Sequence, residues 1–561
     1  MTSEFDVSPY ECFYPLLPEW AQQEYQATIA DNIEYMEGLK RGEFLPRTRR
    51  PDLQRWITLA HKTARLCDNL LRQLSPQAAL TACWVQLPDD LLTAVGDAGS
   101  LNRFRWVLAT SATGESIDVD LLKNFLRRAG RWWGATVMIN RHKDRDLDLS
   151  LEVSAAPERE LMQRSSSLVI RFHWAAEMIA TEICRQIQSD PEFATYLTDF
   201  TEHNMRGCFD SAVYYMSMLD APPIPHNAPG MALAKHMSVR AGEAKMTFTQ
   251  AVSSMKLESH PWVEFDQGLV PMATTSTLMA MDRALLTAAE TALWRAGVRK
   301  HKITKGELFE RAAQQCIIES LAFGVSTPPR ESTIRLANSK PDVDVSIVAD
   351  GLVQLVGEVK AMESADDMDS TDKNFREQIG KVHKQLTLCL DALTRGVPII
   401  DGADGEHFGN ADTIGLGIVL HPYGGTLGDP EMMEVLEPEH RHWRVATAEL
   451  HSWILILSAM ENIDELRDYL QFRNTLVELG VYFAEECDPA LAFLEGQADR
   501  LLNEYRAAAA ICPPERKFKP ILNGIQADSD VSLHLARPTH WRQWREIFSI
   551  ATTSNPYLYR R

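Results

Sequence analysis

The sequence predicts an α/β protein in which a mixed sheet flanked by helices sits between a large, mainly helical α+β N-terminal region and a helical C-terminal region. Three observations predict it. Apolar residues recur at helical spacing through much of the first three hundred residues and again through the last hundred. Between them, residues 305–459 run helix, strand, turn, strand, helix, strand. Within that stretch, SKPDVDVSIVADGLVQLVGEVKAM alternates with a period of two, which only a hairpin accommodates. The chain has 561 residues, more than one core ordinarily supports, and is expected to divide into regions 1–298, 299–460 and 461–561.

Taken in order, residues 1–100 read as helices, with amphipathic stretches at Ala21–Leu39 and Leu53–Leu74 and the basic connection LKRGEFLPRTRR between them. FRWVLATSA and WGATVMIN read as strands with the helix DVDLLKNFLRRAG between them, and LDLSLEVSA as a further alternating strand. Helical spacing returns over Ser165–Met218. DAPPIPHNAPG is a loop by its prolines and glycine, and Thr275–Ala296 is a long helix. Past the lysine-rich turn VRKHKITKG come helix Lys305–Phe323, the hairpin, helix Asp372–Leu393, strand TIGLGIVLHP and the apolar stretch HWRVATAELHSWILILSA. ADDMDSTDK is expected as an acidic loop, PPERKFKP as an exposed basic one, and Trp132, Trp133, Trp541 and Trp544 as core.

Composition narrows the function classes. No apolar run approaches the ~20 residues of a bilayer span, and Met1–Tyr10 has neither the basic start nor the apolar stretch of a secretory signal, so the expected location is the cytoplasm and no membrane partner is expected. The nine cysteines contain no CxxC pair, which argues against a zinc ribbon and a disulfide framework. A net charge of −20 excludes a general basic coat for nucleic acid, although a metal site is itself acidic. GxGxxG, Walker A and GxSxG patterns are absent.

The hairpin carries the chemistry. A three-residue loop Ala349-Asp350-Gly351, with glycine in the left-handed region, sets Asp342 opposite Glu358, Asp344 opposite Val356 and Ser346 opposite Gln354. One face then collects Asp342, Asp344, Ser346, Gln354, Glu358 and Lys360, and the other Val343, Val345, Ile347, Val353, Leu355 and Val359. A two-residue turn shifts the pairing by one and mixes the faces. Two adjacent carboxylates repel unless a cation lies between them, and an all-oxygen donor set suits Mg²⁺ or Mn²⁺. Such a cation polarises a phosphodiester and acidifies a bound water, while a lysine on the same face stabilises developing negative charge. Taken singly, each of these residues is as well explained by a solvated edge strand. Three acids and a lysine on one hairpin face point to a site.

Pro341-Asp342 followed by Glu358-Val359-Lys360 resembles the PD-(D/E)xK nuclease superfamily, over roughly residues 305–459. The resemblance implies a restriction-endonuclease-like core, with Asp342, Glu358 and Lys360 as catalytic residues. It also implies metal ligation by Asp342 and Glu358, with a glutamate of the first helix in support. Glu310 heads an inward stripe with Ala313, Ile317 and Leu321, whereas Glu307 lines up with Arg311 and Gln314 on a solvated row, so Glu310 is expected. The helix after the ExK strand offers the row Gln378, Lys381 and Gln385 for substrate. Gln385-Leu386 is similar to the QLxxY element of one exonuclease branch, but Cys389 stands where its tyrosine would be.

The expected activity is therefore Mg²⁺- or Mn²⁺-dependent hydrolysis of nucleic acid, DNA foremost, by an endonuclease. By analogy with nuclease domains joined to large unassigned modules, the context is bacterial antiviral defence. The N-terminal region would sense a target, bind a protein partner or form a homo-oligomer. Two alternatives stay open: a non-catalytic binding or scaffold protein that keeps the nuclease fold, and a subunit active only inside a larger complex.

Overall fold

The computed structural model describes residues 16–27, 30, 53–81, 99–143, 166–217, 222–254, 256–272, 274–298, 305–321, 330–334, 342–361, 368–401, 405–420, 443–483, 486–494, 496–511 and 521–522. Its helices are α1 (Leu53–Leu71), α2 (Gly99–Ser111), α3 (Val119–Lys143), α4 (Ser166–Ser189), α5 (Glu202–Ser217), α6 (Thr274–Arg295), α7 (Lys305–Ser320), α8 (Met368–Thr394), α9 (Leu450–Ala459), α10 (Ile463–Glu478), α11 (Cys487–Leu494) and α12 (Ala498–Ile511), with several shorter turns of helix. A small sheet is formed by β1 (Ser238–Arg240), β2 (Trp262–Phe265) and β3 (Gly268–Pro271). The large sheet has seven strands: β4 (Arg330–Ile334), β5 (Asp342–Ala349), β6 (Leu352–Lys360), β7 (Ile399–Asp401), β8 (Gly405–His407), β9 (Ile414–Val419) and β10 (Val445–Glu449). Its order is β10-β9-β6-β5-β4-β7-β8.

This is a mixed sheet. β6, β9 and β10 run parallel, and β5, β4, β7 and β8 follow antiparallel on the other side of β6. Helix α8 makes the β6-to-β9 crossover that parallel neighbours require. It covers one face, where Val382, Leu386, Leu390 and Leu393 pack with Val343, Val353 and Val356. Helices α7 and α9 cover the other, where Phe309, Ile317 and Trp453 share a core with Val345, Ile347, Leu355 and Val359. Helices on both faces make the predicted fold class, mixed α/β with a flanked sheet, a description of the molecule.

Apolar burial does not divide at residue 298. Helices α4, α5 and α6 lie in the same core as the sheet, with Ile179, Met205 and Leu285 in one cluster with Ile414 and Leu457. A second core joins α1, α2 and α3 to the small sheet through Trp56, Phe104, Trp133 and Phe265. Trp132 and Trp133 lie inside it, as expected, and Trp541 and Trp544 lie outside the described residues.

The two strands expected at FRWVLATSA and WGATVMIN are helix instead, inside α2 and α3. Phe104, Trp106, Val107, Leu108 and Ala109 are all buried, so the run is apolar on every side, and a helix buried all round shows no period. LDLSLEVSA, LKRGEFLPRTRR and PPERKFKP lie outside the described residues. Cys67, Cys184, Cys208, Cys316 and Cys389 are free and buried. No helix among the described residues is long and apolar enough to cross a membrane.

Candidate active site

The hairpin is closed by two residues rather than three. Ala349 pairs with Leu352, and Asp350 (φ 54°) and Gly351 (φ 76°) both adopt the left-handed conformation of a tight Asp-Gly turn. Two bulges then set the register. Between Ile347↔Leu355 and Val348↔Val353, β6 advances two residues against one of β5, so Gln354 is extra. Between Arg330↔Ser346 and Ser332↔Val343, β5 advances three residues against two of β4, so the second bulge falls at Asp344–Val345.

The expected register is corrected by this. Val345 pairs with Gly357, so the next residue outward, Asp344, comes to the level of Glu358. Asp342 does not. It is exposed at the strand end and pairs with Thr333 of β4. The expected division of faces changes too: Val343 and Val353 join the α8 side while Val345, Ile347, Leu355 and Val359 face α7 and α9. The bulges reverse the alternation where they occur.

Past Val345 the two strands part, and Asp344 holds the gap. Its Oδ2 accepts the Val359 N–H at 2.7 Å, a donor that a continuous ladder would have used. Its own main-chain carbonyl accepts from the Gln314 side-chain amide of α7. Gln314 thus reaches the site from the row that sequence spacing assigned to solvent. Its polarity carried no mark of this, because a lone glutamine beside Glu307 and Arg311 looks like any solvated row.

Glu358 is only 3% exposed. It sits in register with Gly417 of β9, which is in turn level with Thr447 of β10. A Cβ on Gly417 would lie 2.1 Å from Thr447 Oγ1 and 2.7 Å from Val382 Cγ1, so glycine there lets α8 close over the carboxylate's strand. The Lys360 ammonium, on the same face, pairs with Glu358 Oε1. Burial, then the charge of Asp344, push the Glu358 carboxyl up to about 7 against the opposing pull of Lys360, and Glu310 adds to the rise. At Lys360 burial opposes the charged form, but the acids Glu358, Asp344 and Glu310 outweigh it and hold the ammonium above its ordinary value.

Glu310, half-buried on α7, adds its charge at both Glu358 and Lys360. On α8, Gln378 and Gln385 are half-buried and Lys381 is exposed. Cys389, in the position of the missing tyrosine, is buried on α8. Burial, with Glu358 and Asp344, pushes its thiol up to about 12, which keeps it protonated and unreactive.

Glu358 and Lys360 pair directly, Asp344 stands at the level of Glu358, and Glu310 adds its charge to both. Among the described residues no cluster of three or more His, Cys, Asp or Glu side chains is drawn close enough to hold a metal ion. The donors nonetheless suit one chemically. Asp344 and Glu358 offer oxygen alone, and one of them is buried with its anionic form disfavoured by its neighbour, a repulsion that a divalent cation relieves. Compared with models of known protein families, with curated proteins and with solved structures, the chain matches none.

Proposed function

We propose that this is a metal-dependent nuclease centre of the PD-(D/E)xK type, in which Asp344, rather than Asp342, partners Glu358 and Lys360. The reading rests on one observation: where the hairpin opens, two carboxylates from adjacent strands meet a lysine two residues beyond the second of them. Asp344 and Glu358 would hold Mg²⁺ or Mn²⁺, with Glu310 in support. Bound there, the cation supplies a Lewis acid for a phosphodiester and lowers the pKa of a coordinated water.

The chain's own residues do the rest. Glu358, itself buried, holds Lys360 in place through their ion pair. Lys360, still positive because three acids surround it, offers its ammonium to charge developing on the phosphate in the transition state. The Val359 N–H fixes the Asp344 carboxylate and Gln314 fixes its backbone, so the two acids are positioned before substrate arrives. Gln378, Lys381 and Gln385 of α8 are proposed to meet the substrate backbone. The substrate is proposed to be DNA cut internally, and antiviral defence in the cytoplasm remains the proposed setting.

A second reading has its own observation. The Lys360–Glu358 ion pair satisfies the buried acid without any metal, as a nuclease fold retained for binding or scaffolding would require. Purified protein incubated with circular and linear DNA, and with RNA, under Mg²⁺, Mn²⁺ or EDTA separates the two. The nuclease reading expects metal-dependent cutting of circular DNA that disappears in Asp344→Asn and in Glu358→Gln. Absence of cutting under every metal overturns it in favour of the scaffold.

A further inference from the structure

We infer that the outward face of α1 is a docking surface for a nucleic-acid backbone. Helix α1 buries Trp56, Ala60, Ala64, Cys67, Leu70 and Leu71 in the core it shares with α3. Its opposite face carries Arg55, Thr58, Lys62, Arg65, Asn69 and, one residue past the last turn, Arg72, spaced by threes and fours and all exposed. The row is about 25 Å long at the rise of an α-helix.

Its charge is unlike that of the chain as a whole, which has 77 acidic residues against 57 basic ones. The row carries four cations and no acid. The single acid of α1, Asp68, is turned aside, its Oδ1 accepting the Phe248 N–H at 2.7 Å. Several exposed cations elsewhere find carboxylates, as Arg185 does with Glu202, Lys235 with Glu264, Arg240 with Glu243 and Arg500 with Glu504. Arg55, Lys62, Arg65 and Arg72 form no ion pair among the described residues. Like charges along one helix face destabilise it unless a counter-charge is supplied.

The chemistry of the row selects its partner. A helix that lies on a membrane inserts an apolar face, and the apolar face of α1 is spent on the core. A protein interface is anchored by aromatic or aliphatic side chains at its centre, and this row has none. Arginine and lysine interleaved with threonine and asparagine are the side chains that contact phosphate oxygens, which carry no sequence information. The surface is therefore fitted to a polyanionic backbone of any sequence. This holds whether or not Asp344 and Glu358 are catalytic.

The test measures binding of the full-length protein to a labelled duplex of mixed sequence, by anisotropy, in EDTA and over a series of salt concentrations. The fourfold variant Arg55→Gln, Lys62→Gln, Arg65→Gln, Arg72→Gln should bind at least tenfold more weakly at low salt, and its salt slope should fall by about 3.6. A variant that keeps the charge, Arg55→Lys with Arg65→Lys and Arg72→Lys, should keep the slope, which separates charge from folding. Lys235→Gln, at an exposed cation already paired with Glu264, should bind like the unmodified chain, and because binding is read in EDTA without any cleavage, failure of the nuclease reading and failure of this one are told apart. Equal affinity and slope in the fourfold variant overturn the inference. So does row-dependent self-association in sedimentation, or row-dependent binding to phosphatidylserine vesicles with none to nucleic acid.

Discussion

Glu358→Gln should change how the stability of the metal-free protein depends on pH. The folded carboxyl is pushed from an ordinary 4.5 up to about 7, by burial first and by Asp344 second. Because the folded value is the higher one, folding favours the protonated acid. That contribution is fully present below about 4.5 and is lost as pH rises through about 7. At ~1.4 kcal/mol per pKa unit, the loss across that window is about 3 kcal/mol. Glutamine carries no proton to lose, so it removes this dependence while keeping the shape and an acceptor for Lys360. In urea melts in EDTA at pH 4.5 to 8, the stability of the unmodified protein relative to Glu358→Gln should fall by about that amount. Differencing the two cancels the other buried acids, such as Glu449, whose carboxyl burial also raises. Adding Mn²⁺ at pH 8 should then stabilise the unmodified protein more than the variant. A gap that stays flat across the pH range refutes the reasoning, because the buried acid would then ionise without cost.

Three further outcomes follow from the same geometry. Lys360→Ala should lower turnover in Mg²⁺ by ~10²–10³ while leaving DNA affinity in Ca²⁺ unchanged, whereas Lys381→Ala should weaken binding and reduce the salt slope by about 1; gel cleavage and anisotropy read the two effects apart. Gln314→Met, which keeps the length but not the donor, should weaken Mn²⁺ binding measured by paramagnetic resonance with a melting curve close to that of the unmodified chain, and Gln314→Lys should restore part of it. Gly417→Ala should cost about 1–3 kcal/mol in urea melts, since its methyl would overlap Thr447 and Val382.

The elements were legible wherever residue types alternate at a helical or a strand period. Helices α4, α6, α7 and α8 and the strands β5, β6 and β9 lie where spacing expected them, because each has a period to read. Helix α2 had none, its apolar run being buried on all sides. The site was legible in kind and displaced in detail. Spacing found the hairpin, Glu358 and Lys360, but the two-residue turn and the Gln354 bulge each shifted the β5–β6 register by one, moving the opposing acid from Asp342 to Asp344. A bulge is one residue in excess, and neither Gln354 nor Asp344 carries a glycine or proline to mark it. The clean polar face that supported the expected register also dissolved, since α8 covers it and valines fill it.

The acidity of the chain and its proposed substrate are reconciled by a division of labour. Asp344, Glu358 and Glu310 outnumber Lys360, so the bare centre repels a phosphate, and a divalent cation is needed to reverse the local sign. That reversal is confined to the centre and extends little beyond a Debye length of about 8 Å in physiological salt. The chain's net charge of −20 still opposes the approach of a polyanion. Attraction must then come from a separate surface where positive charge is left uncompensated, and the outward row of α1 has that property. Contacts of this kind act equally on substrate and transition state, so they lower KM without raising kcat. Removing the row should accordingly raise KM and leave kcat at saturating DNA unchanged, the reverse of what Lys360→Ala does. A fall in kcat alone would mean that α1 is coupled to the centre rather than feeding it.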